Sequence, residues 1–128
     1  MRILWPNRLV VGDNCCINDG CLMQCQGGVM LGNNVTISTG AIVLARQHRM
    51  RDWWEQCDKD EPDMDHEERS VLLNNHTWIG AGAIVLPGVK IRGKGVVVAA
   101  GTIVTKNIDE DYVLIAGSSM RIVKKYSK

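Results

Sequence analysis

Several features that are common in proteins are scarce in this chain of 128 residues. It contains no phenylalanine, and aromatic residues make up only 5% of it. Its 15 Lys and Arg residues almost balance its 14 Asp and Glu residues, so overall charge does not favour a nucleic acid or an anionic membrane as partner. No apolar run reaches the roughly eighteen residues of a membrane span. Any ligand must therefore be recognised by a local site.

The N-terminus and the cysteines predict where the protein resides. The opening stretch MRILWPNRLVVGDN has no apolar segment followed by a cleavage site, so a cytoplasmic location is predicted. The five cysteines form an odd set without a CxxC motif, which argues against a disulfide framework and against a zinc ribbon. We interpret them as reduced thiols.

An aliphatic residue returns every six positions through most of the chain. A helix repeats every 3.6 residues and a strand every two, so neither explains this period. A short parallel strand followed by a corner, repeated three times per turn, predicts a triangular coil of about eighteen residues with a long, thin core. The repeating positions are Val11, Ile17, Met23, Leu31, Ile37 and Val43, and then Leu73, Ile79, Val85, Ile91, Val97 and Ile103.

Two segments interrupt this repeat. Residues 49–72 contain no hexad and are rich in acidic residues, and they are predicted to leave the coil as a long loop, which in a compact domain is more often functional than filler. Residues 109–128 are predicted to form a short C-terminal arm with a basic end. Residues 1–128 are therefore predicted to form a single domain of about four coils.

The three histidines occupy different positions in this pattern. His48 ends the last hexad before the loop, where a side chain is held at a rigid edge and can still reach a substrate, so it is the candidate general base. We interpret His66, within the acidic run MDHEER, as a solvated loop residue. His76 is interpreted as surface of the coil.

Two stretches carry a family resemblance: GNNVTISTGAIVLARQH before the loop and NHTWIGAGAIVLPGVKIRGKGVVVAAGTIVTKNI after it. They resemble the hexapeptide-repeat acyltransferases, particularly the galactoside, maltose and antibiotic O-acetyltransferases, over roughly residues 11 to 125. The resemblance implies an all-β fold, a left-handed parallel β-helix. It further implies a homotrimer that transfers an acetyl group directly from acetyl-CoA to a small hydroxyl acceptor, or to an amine, without a metal.

The resemblance also implies roles for particular residues. His48 stands where the family has its catalytic base, sixteen residues after Gly32. Asn18 matches an acceptor contact, although a corner residue tolerating a left-handed backbone is an alternative interpretation. Trp53 and Trp54 are candidates to stack on a sugar ring or to pack against a neighbouring subunit. The positions implied to bind the coenzyme are Ala81, Ala100, Thr105, Lys106, Arg121 and Lys124.

Two other functions are compatible with the same coil. A non-catalytic trimeric scaffold would use the acidic, tryptophan-bearing loop as its contact surface. A zinc enzyme of the γ-carbonic anhydrase type would need two histidines five residues apart, whereas His48, His66 and His76 are separated by eighteen and ten residues. The acetyltransferase is the preferred interpretation, and its acceptor is left open.

Overall fold

The chain winds into a three-sided parallel β-helix. The structure is a computed structural model that describes residues 1–60 and 66–127. The first strands are β1 (Arg2–Leu4), β2 (Leu9–Val11), β3 (Cys16–Ile17), β4 (Leu22–Gln24), β5 (Val29–Leu31), β6 (Thr36–Ile37), β7 (Ile42–Leu44) and β8 (Arg46–His48). After helix α1 (Met50–Gln56) follow β9 (His66–Glu68), β10 (Val71–Leu73), β11 (Trp78–Ile79), β12 (Ile84–Val85), β13 (Lys90–Ile91), β14 (Val97–Val98), β15 (Ile103–Val104), β16 (Val113–Ala116) and β17 (Arg121–Lys125).

Each face of the helix is a sheet that takes one strand from each coil. Face A contains β1, β4, β7, β12 and β15, face B contains β2, β5, β10 and β13, and face C contains β3, β6, β11, β14 and β16, with β17 at its end. We call the turns that lead from face C to face A the C–A corner, and those from face A to face B the A–B corner. The predicted all-β parallel β-helix is confirmed.

From Met23 to Ile91 the hexad residues fill the interior, as the period predicts, whereas Val11 in the first coil is 43% exposed. Ile37 pairs with Ile17 on one side and with Ile79 on the other, so identical positions of successive coils stack on one another. Met23 and Leu73 are likewise fully buried. Stacking buries an apolar side that no single coil could bury alone, and this is the source of stability in such repeats.

The register shifts by one residue in the last coils. Val98 and Val104 are fully buried, whereas the hexad positions Val97 and Ile103 are only half-buried on the outer side. The corner between Ile91 and Val98 holds one residue more than a hexad allows, so seven positions separate these two buried side chains. The prediction that Val97 and Ile103 fill the interior is therefore wrong.

The coil is longer at both ends than the hexads predict. Face A has five strands, so the structure has about five coils rather than four. β1 adds a strand before the first hexad, and β16 runs parallel to β14 with Val113 and Ile115 buried. Of the predicted arm at 109–128, only β17 turns back, antiparallel to β16. Lys128 lies outside the described residues.

The interruption of the repeat after β7 contains secondary structure of its own. We call residues 46–70 the insert: β8 and β9 form their own antiparallel pair, and α1 follows β8. The amide of Arg69 donates to the carbonyl of Ala45 at 3.0 Å and closes the base of the insert. The insert begins three residues before the predicted 49, because Gln47 is exposed in β8 and does not occupy a buried corner. Residues 61–65 of the predicted loop lie outside the described residues.

The helices of the described chain are short. Besides α1 there is one turn of 3-10 helix at Pro6–Arg8. Within residues 1–60 and 66–127 no helix has the length and apolarity to cross a membrane.

Candidate active site

His48 lies at the end of β8 and projects into solvent from the insert. Its direct cross-strand partner is His66 on β9, and the centroids of the two imidazole rings are 4.3 Å apart with their planes inclined by 32°. Opposed residues of an antiparallel pair direct their side chains to the same side. The neighbouring pair on that side, Arg46 opposite Glu68, carries opposite charges. The sequence interpretation of His66 as a plain loop residue missed this juxtaposition.

Helix α1 brings one tryptophan to the histidines. The amide of Trp53 donates to the carbonyl of Arg49 at 3.1 Å, so the first turn of α1 begins directly after β8. The ring centroid of Trp53 lies 5.7 Å from that of His48, at an inclination of 53°. Trp53 is 51% exposed and Trp54 is 70% exposed. Of the two tryptophans predicted to contact the acceptor, Trp53 is the one with its ring beside His48.

An apolar groove of about 620 Å³ runs along face C to the C–A corner. Ala81 and Ala100 line it on successive coils, and the amide of Gly101 donates to the carbonyl of Ala81 at 2.9 Å. A Cβ on Gly80 would lie 2.6 Å from the amide nitrogen of Ala100, so only glycine lets these coils stack at this corner. The other lining residues are Ser38, Trp78, Gly80, Val97, Val98, Ala99 and Leu114.

The groove and His48 lie at different corners of the same chain. Ala81 stands just before β12, and His48 follows β7, which is the parallel neighbour of β12 in face A. Because neighbouring parallel strands run in the same direction, a residue before one and a residue after the other lie at opposite sides of the face. The width of face A therefore separates the candidate base from the groove in one chain.

Asn18 lies on the groove side of face A. It follows β3 at the C–A corner, and its Nδ2 donates to the carbonyl of Ile37 at 3.0 Å. The side chain is thus held by the next coil, while the residue as a whole is exposed. This bond ties Asn18 to the next coil, but its φ is not positive, so the left-handed backbone of the alternative interpretation is not observed.

The remaining predicted coenzyme contacts are split between two places. Thr105 and Lys106 lie at the A–B corner after β15, and Lys106 shares a cleft of about 350 Å³ with Arg121, Asp109 and Glu110. The amide of Thr105 donates to the sulfur of Met120 at 3.2 Å, which ties the start of β17 to the last coil.

Lys124 is not part of that cleft. It pairs with Leu114 across the β16–β17 ladder and lines a hollow of about 310 Å³ on face C. Val97 and Leu114 border both this hollow and the apolar groove. Lys124 is therefore the predicted basic contact that adjoins the groove of Ala81 and Ala100.

Two groups on the coil, Lys90 and Cys25, have shifted pKa values. Desolvation by burial lowers the pKa of Lys90, and the charges of Arg69 and Arg92 lower it further. The ammonium of Lys90 donates to Ser70 Oγ at 2.9 Å. Burial also raises the pKa of the Cys25 thiol. None of the five cysteines, all of which lie in the described part of the chain, forms a disulfide there.

Several known proteins resemble this chain in sequence or in fold. The galactoside O-acetyltransferase of Lactococcus lactis is 38% identical over 85 residues, which cover 66% of this chain and 35% of that protein. A putative lipopolysaccharide biosynthesis O-acetyl transferase of Escherichia coli is 32% identical over 118 residues, covering 90% of this chain and 59% of that protein. A hexapeptide-repeat acetyltransferase of Vibrio cholerae, solved with acetyl coenzyme A, superposes with a TM-score of 0.86 at 20% identity, covering 99% of this chain and 65% of that one.

The chain is a relative of the hexapeptide-repeat acetyltransferases. It spans between about a third and three fifths of the length of these curated relatives. No protein-family model matches it.

A resident metal ion is usually held by several convergent side chains. In the part of the chain that the structure describes, no three or more His, Cys, Asp or Glu side chains converge. His76 lies on an exposed corner with a φ of 58°, a backbone conformation that it shares with Asn34 and Asn14 on the two preceding coils. The three-histidine site of a γ-carbonic anhydrase is therefore absent from the described residues.

Proposed function

We propose that this chain is an acetyl-CoA-dependent O-acetyltransferase that acts on a small hydroxyl acceptor such as a sugar or an antibiotic. The observation that carries the proposal is the exposed imidazole of His48, placed beside Trp53 on an insert that leaves a β-helix related to acetyltransferases. A base with this exposure can meet an acceptor that arrives from solvent. A residue whose only role was to stabilise the β-helix would be expected in its buried interior.

The proposed chemistry is a direct transfer. His48 accepts the proton of the acceptor hydroxyl while the hydroxyl oxygen attacks the thioester carbonyl, and the imidazolium then returns a proton to the departing coenzyme A thiolate. A backbone N–H at the corner of Ala81 stabilises the oxyanion. A placed base contributes roughly 10² to 10⁴ in rate, and an oxyanion donor roughly 10² to 10³. No covalent enzyme intermediate is required.

In this proposal each active site is formed by two copies of the chain. His48 belongs to the A–B side of face A, and Ala81 and Ala100 belong to the C–A side. A cyclic trimer joins two different surface patches at each interface, so the A–B side of one copy meets the C–A side of the next. A homotrimer with three equivalent sites therefore brings His48 of one copy to the groove of its neighbour.

The acceptor and the coenzyme then enter from different sides. Trp53 offers an aromatic face beside His48 on which a sugar ring can stack, and Asn18 lies on the groove side. The apolar groove suits the pantetheine portion of acetyl-CoA, and Lys124 at its margin suits a phosphate. Lys106 and Arg121 share their cleft with two carboxylates, so their contribution to phosphate binding is expected to be smaller.

Acceptor-dependent release of free thiol from acetyl-CoA tests the proposal. We expect thiol release with at least one acceptor in a panel of sugars, antibiotics and simple alcohols, and we expect Ala100→Trp to abolish it because the indole fills the groove. The matched control is Ala100→Ser, which keeps the groove open and should keep activity. Acetyl-CoA should raise the Tm of the wild type and of the serine variant only.

Two outcomes would count against the proposal. If millimolar acetyl-CoA leaves the Tm of the wild type unchanged, the groove is not a coenzyme site. If Ala100→Trp and Ala100→Ser release thiol equally well, the transfer takes place elsewhere on the molecule.

A further inference from the structure

We propose that His48 and His66 form a two-imidazole binding site for a divalent transition-metal ion such as Zn²⁺, and that an ion bound there inhibits acetyl transfer. The two residues are direct partners in the β8–β9 ladder, and their ring centroids are 4.3 Å apart. The binding step stands independently of the proposed function. Only the inhibition rests on the role of His48 as the base.

The separation of the rings suits chelation. Zn²⁺ binds imidazole nitrogen at about 2.0–2.1 Å, so two nitrogens on one tetrahedral ion lie about 3.4 Å apart. Rings with centroids 4.3 Å apart and planes inclined by 32° reach that separation by small rotations about their side-chain torsions. Both side chains are exposed, so these rotations meet little resistance from packing.

The backbone holds the two ligands together before the ion arrives. β8 and β9 form an antiparallel ladder of three residue pairs that ends in His48 and His66, and Arg69 closes the base of the insert on Ala45. When one imidazole has bound, the second is already nearby, which raises its effective concentration. A pair of unconnected surface histidines lacks this advantage.

The donor set determines the class of ion. Imidazole favours Zn²⁺, Cu²⁺ and Ni²⁺ over Mg²⁺ and Ca²⁺, which prefer oxygen ligands. Arg46 and Glu68, on the same side of the ladder, carry opposite charges, so this pair adds no net charge beside the two histidines. With two protein ligands, water completes the coordination, so binding is reversible and weaker than in a four-ligand structural site. Purified protein is therefore expected to carry less than one equivalent of metal.

Occupation of this site has a direct chemical consequence. A general base needs the lone pair of its free imidazole nitrogen to accept the hydroxyl proton. An ion coordinated by His48 uses a nitrogen lone pair and draws the ring toward His66, away from the acceptor beside Trp53. The chain bound to zinc should thus be inactive, and removal of the ion by a chelator should restore activity.

Isothermal titration of the metal-free full chain with Zn²⁺ tests the binding step without any activity assay. We expect one saturable ion per chain, and we expect His66→Asn and His48→Asn each to weaken binding by at least about tenfold. The control is His76→Asn, which removes the third histidine where the two preceding coils already carry asparagine in the same backbone conformation. It should leave the affinity unchanged. Ring resonances of His48 and His66, but not of His76, should shift in NMR spectra.

The proposal fails if the wild type shows no saturable binding up to millimolar Zn²⁺, or if both His66→Asn and His48→Asn bind as tightly as the wild type. The latter result would assign binding to another group, such as the exposed thiol of Cys57.

The inhibition is tested separately, by the ratio of acetylated product with and without Zn²⁺ in the wild type and in His66→Asn. If the wild type binds zinc but shows no transferase activity, the proposed function is wrong, whereas the proposed metal site is not contradicted.

Discussion

Replacement of His48 by alanine is expected to lower kcat by at least about a hundredfold, because a positioned base contributes roughly 10² to 10⁴ to the rate. The loss should appear in kcat rather than in the KM for acetyl-CoA, because His48 accepts the acceptor's proton and is not one of the residues proposed to hold the coenzyme. Thiol release under saturating acetyl-CoA, with the acceptor that the wild type uses best, measures the effect.

Two comparisons separate loss of the base from loss of the fold. His48 is exposed on the insert, so His48→Ala should unfold at the same temperature as the wild type. His76→Asn, a histidine change on the coil, should keep full activity. Near-wild-type turnover by His48→Ala would remove His48 from the role of base.

Introducing a carboxylate at Val98 is expected to cost about 4 kcal/mol or more in the free energy of unfolding, because it places an unpaired charge in the core. The same change at the adjacent Val97 should cost only about 1 kcal/mol, since that side chain is half-buried on the outer side of face C. Chemical denaturation of Val98→Asp and Val97→Asp at one protein concentration measures the difference.

This pair distinguishes the observed register from an unbroken period of six. An unbroken period continues from Ile91 to Val97 and would make Val97→Asp the damaging change. Ile103→Asp and Val104→Asp repeat the comparison on face A, where Val104 is the fully buried residue. If the outer residues prove more sensitive at both places, the register described here is incorrect.

Much of the coil could be predicted from the sequence because, in most coils, the same residue of each hexad points into the interior and must be apolar. Ile37, Leu73, Ile79 and Val85 are all fully buried, as their spacing requires. The shift at Val98 could not be predicted, because Val96, Val97 and Val98 are all apolar and β-branched, so any of them can fill the interior. Only the conformation of the preceding corner decides among them, and Gly95 there adopts a φ of +65° beneath the ring of Tyr112.

The ends and the insert were less predictable for a similar reason. β1 and β16 extend the coil by pairing with strands that already exist, so they need no hexad of their own. In the insert, Arg46 faces Glu68 and His48 faces His66, a pairing that depends on how two distant segments align. The opposite charges of Arg46 and Glu68 are the one signal of this alignment in the sequence.

The candidate site was located from sequence only in part. His48 and the corner of Ala81 and Ala100 follow from the family resemblance and from the position of the repeat. Ser38, Trp78 and Leu114, which line the same groove, were missed because they occupy outward positions between the hexad residues. Outward positions such as Trp78, Val97 and Leu114 recur from coil to coil, but their residue types do not, so their grouping emerges only when the coils are stacked.

Mixing two inactive variants tests most directly the claim that one copy's His48 works in its neighbour's groove. His48→Ala keeps the groove, Ala100→Trp keeps the base, and each alone should be inactive. After the two are mixed, dissociated and reassembled in equal amounts, about a quarter of wild-type turnover should return, because a cyclic trimer then contains interfaces with both intact halves. Reassembled mixed trimers that remain inactive would contradict the account.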